Sequence, residues 1–500
     1  MRLWLEEREG WPARIMFETL SAYWPHILVA LSIILGIPAA IHATMTKEEV
    51  RAAIGWVGVI VLSPVVGPVI YAVGGVNRIR RNTLNLSREG LIAAGWYHRS
   101  EYDVSNEHMT VAYGGALAAM QRLGDTVGRC KLTSGNRIKL LATGDEAYAA
   151  MLSAIGAAER SILLETYIFD RDAAGERFVQ ALSAAVARGV AVRVLIDAVG
   201  ARYSIPSIVS ELKRAGVPVD VFNGNIVMGL RLPYANLRTH RKILIVDGSV
   251  AFTGGLNIRA GFCTEFSDAA ALDTHFRLTG PVVSDLFRIA YEDWRFSGGD
   301  ELSGEVWQIA PPPDAPDSGM LARVVPSGPD KSLETNHRML MGALSVAKHH
   351  IRIMSPYFLP DRELISAIVT AARRGVEIDI IVPSSNNLKL VDLAMTAQFD
   401  QMLKHGCRIW RASGAFNHSK LTVVDDAWSY VGSSNIDPRS LRLNFEVDIE
   451  VIDPDFAELI GARIDAALEG SEQVKLEELR ARPFVQRLVE RITWLGSPYL

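Results

Sequence analysis

The hydrophobic pattern separates an apolar N-terminal region from the rest of the chain. Residues 19–46 contain no charged side chain apart from two histidines, and residues 52–77 contain none. Each run exceeds the roughly 20 residues that span a bilayer as a helix. The pattern predicts two transmembrane helices at about 21–43 and 53–75, within an N-terminal membrane anchor of residues 1–81.

Positive charge is distributed unevenly around these runs. The loop between them offers only Lys47 and Arg51, whereas four arginines lie between residues 78 and 88. Because positively charged segments stay on the cytoplasmic side, everything after residue 77 is predicted to be cytoplasmic. A protein that crosses a membrane more than once, with its C-terminal part in the cytoplasm, is therefore expected.

Beyond the anchor, helical and strand patterns alternate. The helical stretch 175–188 leads into the apolar, β-branched run 190–196, which predicts an α/β sheet flanked by helices. Many prolines between residues 310 and 319 indicate a linker between two similar halves. The predicted divisions are a connecting segment at 82–135, a first repeat at 136–300, a linker at 301–320, a second repeat at 321–470 and an amphipathic segment at 471–500.

Each half contains the same motif, in which a lysine follows a histidine by two residues and an aspartate follows by seven. Both motifs continue through a glycine to an asparagine 17 residues after the histidine. One match would carry little weight, but two with identical spacing are a strong signal. The residues are His240, Lys242, Asp247 and Asn257 in the first half, and His418, Lys420, Asp425 and Asn435 in the second.

The motif suits chemistry on a phosphate diester. Alternate side chains of a strand share a face, so each histidine is expected to lie beside its lysine in one shared cavity. Lysines and asparagines would stabilise the phosphate oxygens, one imidazole would attack phosphorus, and the other would protonate the departing alcohol. No thiolate or carboxylate cluster has the spacing of a metal site.

These motifs resemble the duplicated signature of the phospholipase D superfamily. The resemblance implies a pseudo-twofold α/β fold with two sheets flanked by helices, a phosphohistidine intermediate, and neither metal nor cofactor. It also implies that an acid orients each histidine, for which we assign Glu446 to His240 and Asp273 to His418, crosswise between the halves. Asp247 and Asp425 belong to the signature's catalytic set, although their distance from the histidines favours structural hydrogen bonds.

The two apolar runs and the segment 437–446 after the second motif resemble bacterial cardiolipin synthases in particular. That resemblance implies phosphatidylglycerol as both donor and acceptor, at the membrane. One departure separates the halves, because Ser433 of the second half corresponds to Gly255 of the first. Unequal roles are therefore expected, and we assign His240 as the nucleophile.

Three further features bear on alternatives. A net charge of -4 disfavours a nucleic-acid partner, so a membrane-bound nucleic-acid phosphodiesterase ranks below a lipid hydrolase of the phospholipase D type. A non-catalytic scaffold would not need both motifs intact. Apolar residues at helical spacing from 484 to 499, with arginines nearby, are equally typical of a helix on anionic lipid and of a helix packed on the protein. The oligomeric state stays open.

Overall fold

The computed structural model describes residues 11–47, 49–76, 100–223, 237–316 and 318–497. The chain falls into two compact units, Met1–Ile79 and Arg80–Leu500. The arginines on which the predicted orientation rests lie outside the described residues.

The first unit corrects the prediction of two transmembrane helices. Helix α1 (Trp11–Thr46) contains a stretch, Tyr23–Thr46, that is long and apolar enough to cross a membrane, and within the described residues it alone meets that test. The second run, predicted as one helix at 53–75, is interrupted. It forms α2 (Val50–Leu62), α3 (Val66–Ile70) and a turn of π-helix, Tyr71–Gly75.

The interruption has a local cause. Pro64 lacks a backbone N–H and clashes with the carbonyl of the preceding helical turn. The next residue, Val65, has a φ of 64°, a left-handed value outside any right-handed helix. The hydrophobic pattern therefore predicted one continuous helix where the chain forms three shorter helical pieces.

The second unit is built on one continuous sheet of sixteen described strands. In chain order the strands of the first half are β1 (Thr133–Leu141), β2 (Ser161–Thr166), β3 (Ala191–Asp197), β4 (Val219–Phe222), β5 (Arg238–Thr239), β6 (Ile243–Val246), β7 (Val250–Gly254) and β8 (His275–Thr279). Those of the second half are β9 (Met320–Ser327), β10 (His350–Met354), β11 (Glu377–Pro383), β12 (Arg408–Ala412), β13 (Leu421–Val424), β14 (Trp428–Gly432), β15 (Asn444–Ile452) and β16 (Glu472–Gln473).

The strand order reveals the duplication. It runs β4-β3-β2-β6-β7-β8-β1 through the first half and returns as β9-β15-β14-β13-β10-β11-β12-β16 through the second, while β5 pairs with β15. The expected two sheets are joined, because β1 and β9 pair antiparallel at the centre, with Thr133 opposite Ala322. Pairing at this seam satisfies two strand edges that separate sheets would leave open.

Helices cover the sheet. They are α4 (Asn106–Val127), α5 (Gly144–Ala157), α6 (Ala173–Ala187), α7 (Ile208–Arg214), α8 (Val282–Phe296), α9 (Thr335–Val346), α10 (Arg362–Arg373), α11 (Lys389–Leu403), α12 (Pro438–Arg442), α13 (Pro454–Leu468), α14 (Leu476–Ala481) and α15 (Phe484–Leu495). Helix α4 lies in the segment 82–135, where the sequence showed no strong period, and it packs against α9.

Each half has its own hydrophobic core. In the first half Phe178 and Leu182 of α6 pack with Val194 of β3. In the second, Phe399 of α11 and Ile380 of β11 belong to the corresponding cluster. The three cysteines are buried free thiols. Two independently packed halves joined at one seam form a rigid support for whatever lies across that seam.

Candidate active site

The chain places each motif histidine against the opposite half. The backbone N–H of His240 donates to the carbonyl of Phe445 at 2.8 Å, and that of His418 donates to the carbonyl of Leu272 at 2.7 Å. Phe445 and Leu272 immediately precede the two candidate acids. These main-chain hydrogen bonds between the two halves therefore place each histidine next to an acid of the other half.

The side chains form the crosswise pairs. Nδ1 of His240 lies 2.9 Å from Oε2 of Glu446, and Nδ1 of His418 lies 2.8 Å from Oδ2 of Asp273. Both carboxylates are fully buried. A carboxylate at Nδ1 holds the proton on that nitrogen, so Nε2 of each ring carries the lone pair that can attack or transfer a proton.

The two acids are supported differently. Ser433 donates its hydroxyl to Oε2 of Glu446 at 2.6 Å, and Asn444 donates to Oε1 at 3.2 Å. Asp273 accepts the N–H of Thr274 at 2.7 Å. At the position equivalent to Ser433 stands Gly255, where a Cβ would lie 2.1 Å from Oδ1 of Asp273. The shorter acid thus occupies space that the serine side chain takes in the other half.

The motif lysines lie beside the histidines. Lys242 donates to the backbone carbonyl of His240 at 2.5 Å, and Lys420 donates to the carbonyl of His418. Lys420 Nζ also lies 2.8 Å from Nδ1 and 3.1 Å from Nε2 of His418. Lys242 Nζ instead lies 5.6 Å from the centroid of the Tyr167 ring. The ammonium of Lys420 therefore contacts the ring of its histidine, whereas that of Lys242 is hydrogen-bonded to the backbone of its own.

Burial of so many charges shifts their pKa values. Burial lowers the pKa of Lys242 to about 7 and that of Lys420 to about 8. Burial, together with the charge of Lys420, lowers the pKa of His418 to about 4, and burial also lowers the pKa of His240. Although burial raises it, the pKa of Glu446 falls to about 2 because His240 and Lys242 outweigh desolvation. Opposed shifts of this kind are typical of catalytic sites.

Both histidines line one cavity of about 620 Å³, which also contains the side chains of both motif asparagines. Asn257 accepts the N–H of Ile168 at 3.1 Å. Nδ2 of Asn435 donates to Oγ of Ser440 at 3.5 Å, and the buried Oδ1 of Asn435 has no hydrogen-bond partner among the described residues. That orphaned acceptor is available to a hydroxyl of a bound molecule.

The cavity wall joins aromatic and cationic groups. The ring of Tyr167 packs edge-on against His240 with centroids 5.0 Å apart, and Tyr357 packs likewise on His418 at 5.8 Å. Three arginines also line the cavity, namely Arg238, Arg259 and Arg439. The carboxylates of Asp170, Asp172 and Asp437 line it too. A singly charged phosphate diester with an apolar portion fits such a wall.

Asp247 and Asp425 lie elsewhere, which corrects their place in the predicted catalytic set. Asp247 accepts the backbone N–H groups of residues 159, 160 and 161 at 2.8 to 3.0 Å. Asp425 accepts those of residues 348, 349 and 350 at 2.7 to 3.0 Å. Each carboxylate caps the start of β2 or β10. Backbone N–H groups thus account for the hydrogen bonds of both carboxylates.

No role was predicted from the sequence for the tyrosines and arginines that line the cavity. Tyr167 and Tyr357 do stand at matching positions of the two halves, and that correspondence was a usable signal. The arginines stand at no matching positions, so nothing in the repeat distinguished them from other surface arginines.

One cluster outside the cavity has the composition of a metal site. His337, Asp361 and Glu363 hold ligand atoms within 4.8 Å of one another. Asp361, however, already accepts the N–H of Leu364 as the N-cap of α10 and pairs with His337. The cluster is therefore accounted for by local capping and ion pairing.

The chain is similar to known proteins over most of its length. The family model described as cardiolipin synthase, PLD-like domain, matches residues 151–273 and 340–467. Cardiolipin synthase A of Pseudomonas fluorescens is 30% identical over 491 residues, covering 96% of this chain and 100% of that protein. Cardiolipin synthase A of Pseudomonas aeruginosa is 32% identical over 492 residues, covering 96% and 97%.

A solved structure shares the fold. The crystal structure of phosphatidylserine synthase from Haemophilus influenzae superposes with a TM-score of 0.58 at 16% identity. The superposition covers 76% of this chain and 100% of that chain. The single large sheet with its paired halves is thus an arrangement that occurs in a solved protein.

Proposed function

The chain belongs to the cardiolipin synthase family of PLD-like proteins, and from this membership we propose that it transfers a phosphatidyl group between two phosphatidylglycerol molecules, giving cardiolipin and glycerol. One observation carries the proposal. Two histidines, each held at Nδ1 by an acid from the opposite half, open on one cavity. Two such imidazoles can form and resolve a covalent phosphoenzyme without further groups.

In the first step Nε2 of His240 attacks the phosphorus of the donor lipid. The bond between phosphorus and the glycerol headgroup oxygen breaks, and that oxygen takes a proton from Nε2 of His418, which enters this step as the imidazolium because the anionic phosphate of the bound lipid favours its charged form. The products are phosphatidyl-His240 and free glycerol. Glu446 balances the positive charge that develops on the His240 ring, because its low pKa keeps it ionised.

In the second step the hydroxyl of another phosphatidylglycerol replaces glycerol. His418 removes its proton, the oxygen attacks phosphorus, and the bond between phosphorus and His240 breaks. Cardiolipin leaves and both rings regain their starting state. Resolution by water in place of the lipid hydroxyl would give phosphatidic acid, the product of a hydrolase.

The lysines support the assignment of His240 as the nucleophile. Lys420 Nζ lies 2.8 Å from Nδ1 and 3.1 Å from Nε2 of His418, so its ammonium stands against the ring and can replace a proton that the ring gives away. The ammonium of Lys242 contacts the backbone of His240 and leaves its Nε2 free. His418 is thus suited to proton transfer and His240 to attack.

We also propose that the catalytic unit faces the cytoplasm of a bacterial cell. Helix α1 would cross the inner membrane. The arginines after residue 77 support this orientation. A C-terminal reporter that is active only outside the cytoplasm would contradict it.

The direct test uses detergent-purified protein with phosphatidylglycerol as the sole lipid. We expect cardiolipin and glycerol in equal amounts from the parent enzyme, neither product from His240→Ala, and from His418→Ala no cardiolipin and at most one glycerol per enzyme molecule. Phosphatidic acid with glycerol would reveal a hydrolase. No turnover with phosphatidylglycerol would exclude it as the donor.

A further inference from the structure

The last described helix, α15, exposes its apolar face. Six large apolar side chains on this helix are between 43% and 72% exposed. They form one stripe that covers about 140° of the helix surface, since successive residues advance by about 100°. The residues are Phe484, Val485, Leu488, Val489, Ile492 and Leu495.

The inner face of α15 is polar in its most buried part. Glu490 is only 2% exposed, and Arg482 binds both of its carboxylate oxygens, at 2.6 and 2.9 Å. Trp494 packs against the core beside it. A helix that packed only to bury apolar surface would turn the stripe inward and the ion pair outward. The outward stripe is therefore an exposed apolar surface of the kind that marks a contact with a membrane or another protein.

Arginines border the stripe on one side. Arg487 and Arg491 lie one turn apart on that border, beside a pocket of about 270 Å³ between α11, α14 and α15. Arg487 has no ion pair with the described carboxylates, and Arg491 lies 5.8 Å from the Trp494 ring centroid. A row of cations next to exposed apolar side chains matches the boundary between phosphate groups and acyl chains.

We propose that α15 is a docking surface for anionic phospholipid. The stripe inserts into the acyl boundary of a bilayer, and Arg487 and Arg491 bind the phosphate diesters of the headgroups. Charge favours lipid over a second copy of the chain, because two copies meeting at this face would oppose their arginines. The same chain also carries a helix long and apolar enough to cross a membrane.

The test uses the full-length protein in nanodiscs whose lipids carry an acyl-chain quencher. A fluorophore is attached to Ile492→Cys on the stripe or to Gln486→Cys, which is also exposed on α15 but lies outside the stripe. The three native cysteines are buried and will not compete for the label. We expect quenching at 492 to be at least about threefold stronger than at 486. Equal quenching at both positions would overturn the proposal.

The arginines are tested with the same probe. In discs with phosphatidylglycerol, Arg487→Gln with Arg491→Gln should reduce the docked population severalfold, because each cation near an anionic surface contributes about fivefold. A control pair, Arg214→Gln with Arg362→Gln, removes two exposed charges from other helices and should change nothing. Quenching that is identical in both pairs would contradict headgroup binding. The readout involves no turnover, so it stands or falls separately from the synthase reaction.

Discussion

The two halves of the site hold their histidines by different means. In one, a glutamate reaches His240 and leaves room for Ser433, whose hydroxyl bonds to the carboxylate. In the other, the shorter Asp273 reaches His418 from a position so close to Gly255 that any side chain there would collide. Gly255 stands beside the shorter acid, and Ser433 stands beside the longer one. We infer that each acid and its neighbour form one unit, so that both must be exchanged together.

The strongest test of that unit is Gly255→Ser. The new side chain would displace Asp273, whose Oδ1 lies 2.1 Å from the added Cβ, so His418 would lose its partner. We expect cardiolipin formation to fall about 10²-fold or more. Adding Asp273→Glu reproduces the arrangement of the other half and should restore activity to within about tenfold of the parent. Product formation by folded protein is the measurement.

Gly156→Ala serves as the control, because α5 offers open space there. If the double variant were no more active than Gly255→Ser alone, acid and neighbour would not be a unit.

Ser433→Ala probes the same unit from the other half. Glu446 would lose a 2.6 Å hydrogen bond to its charged oxygen, worth about 1.5 kcal/mol or more, so kcat should fall about tenfold. Ser345→Ala, which removes an exposed hydroxyl on α9, should leave kcat unchanged. A parent-like kcat in Ser433→Ala would show that the hydroxyl does not support Glu446.

The lysines differ in the pH at which they lose charge. Their folded pKa values of about 7 for Lys242 and about 8 for Lys420 lie below the ordinary lysine value, so raising the pH through this range removes cations from the free enzyme. We expect kcat/KM to fall as pH rises above about 7. Lys242→Arg keeps its charge, so the decline should begin about one pH unit later. A profile flat to pH 9 in the parent enzyme would contradict these shifts.

Asp247→Ala should have the smallest effect on chemistry and a clear effect on stability. Three backbone N–H groups before β2 would lose their acceptor, at a cost of about 2 kcal/mol or more. We expect a lower Tm and unchanged activity per folded molecule, and the same for Asp425→Ala. Glu458→Ala, an exposed position on α13, is the control for Tm. A loss of activity at parent-like Tm would return these aspartates to the catalytic set.

Much of the catalytic fold follows from repetition in the sequence. Two motifs with the same spacing predicted two α/β halves, and the strand orders mirror each other. The merging of the sheets could not be predicted, because the pairing of β1 with β9 depends on strand edges that no periodicity marks. Pro64 could have predicted the break in the second apolar run, but the length of that run favoured a single helix.

Part of the site could also be predicted from the sequence. Spacing identified His240 and His418, and both line the one cavity. The arginines of the wall and the dependence of Gly255 on Asp273 could not be read from the chain. Each depends on side chains that are far apart in the sequence and meet only after folding, so no pattern along the chain marks the contact.

Labelling of the covalent intermediate tests most directly whether His240 carries the phosphatidyl group while His418 transfers protons. Each histidine variant is incubated with phosphatidylglycerol labelled in its acyl chains, the reaction is quenched under alkaline conditions that preserve phosphohistidine, and the label is mapped by mass spectrometry. We expect a labelled His240 peptide in His418→Ala and no labelled peptide in His240→Ala. Label on His418 in His240→Ala, with none on His240 in His418→Ala, would contradict this assignment.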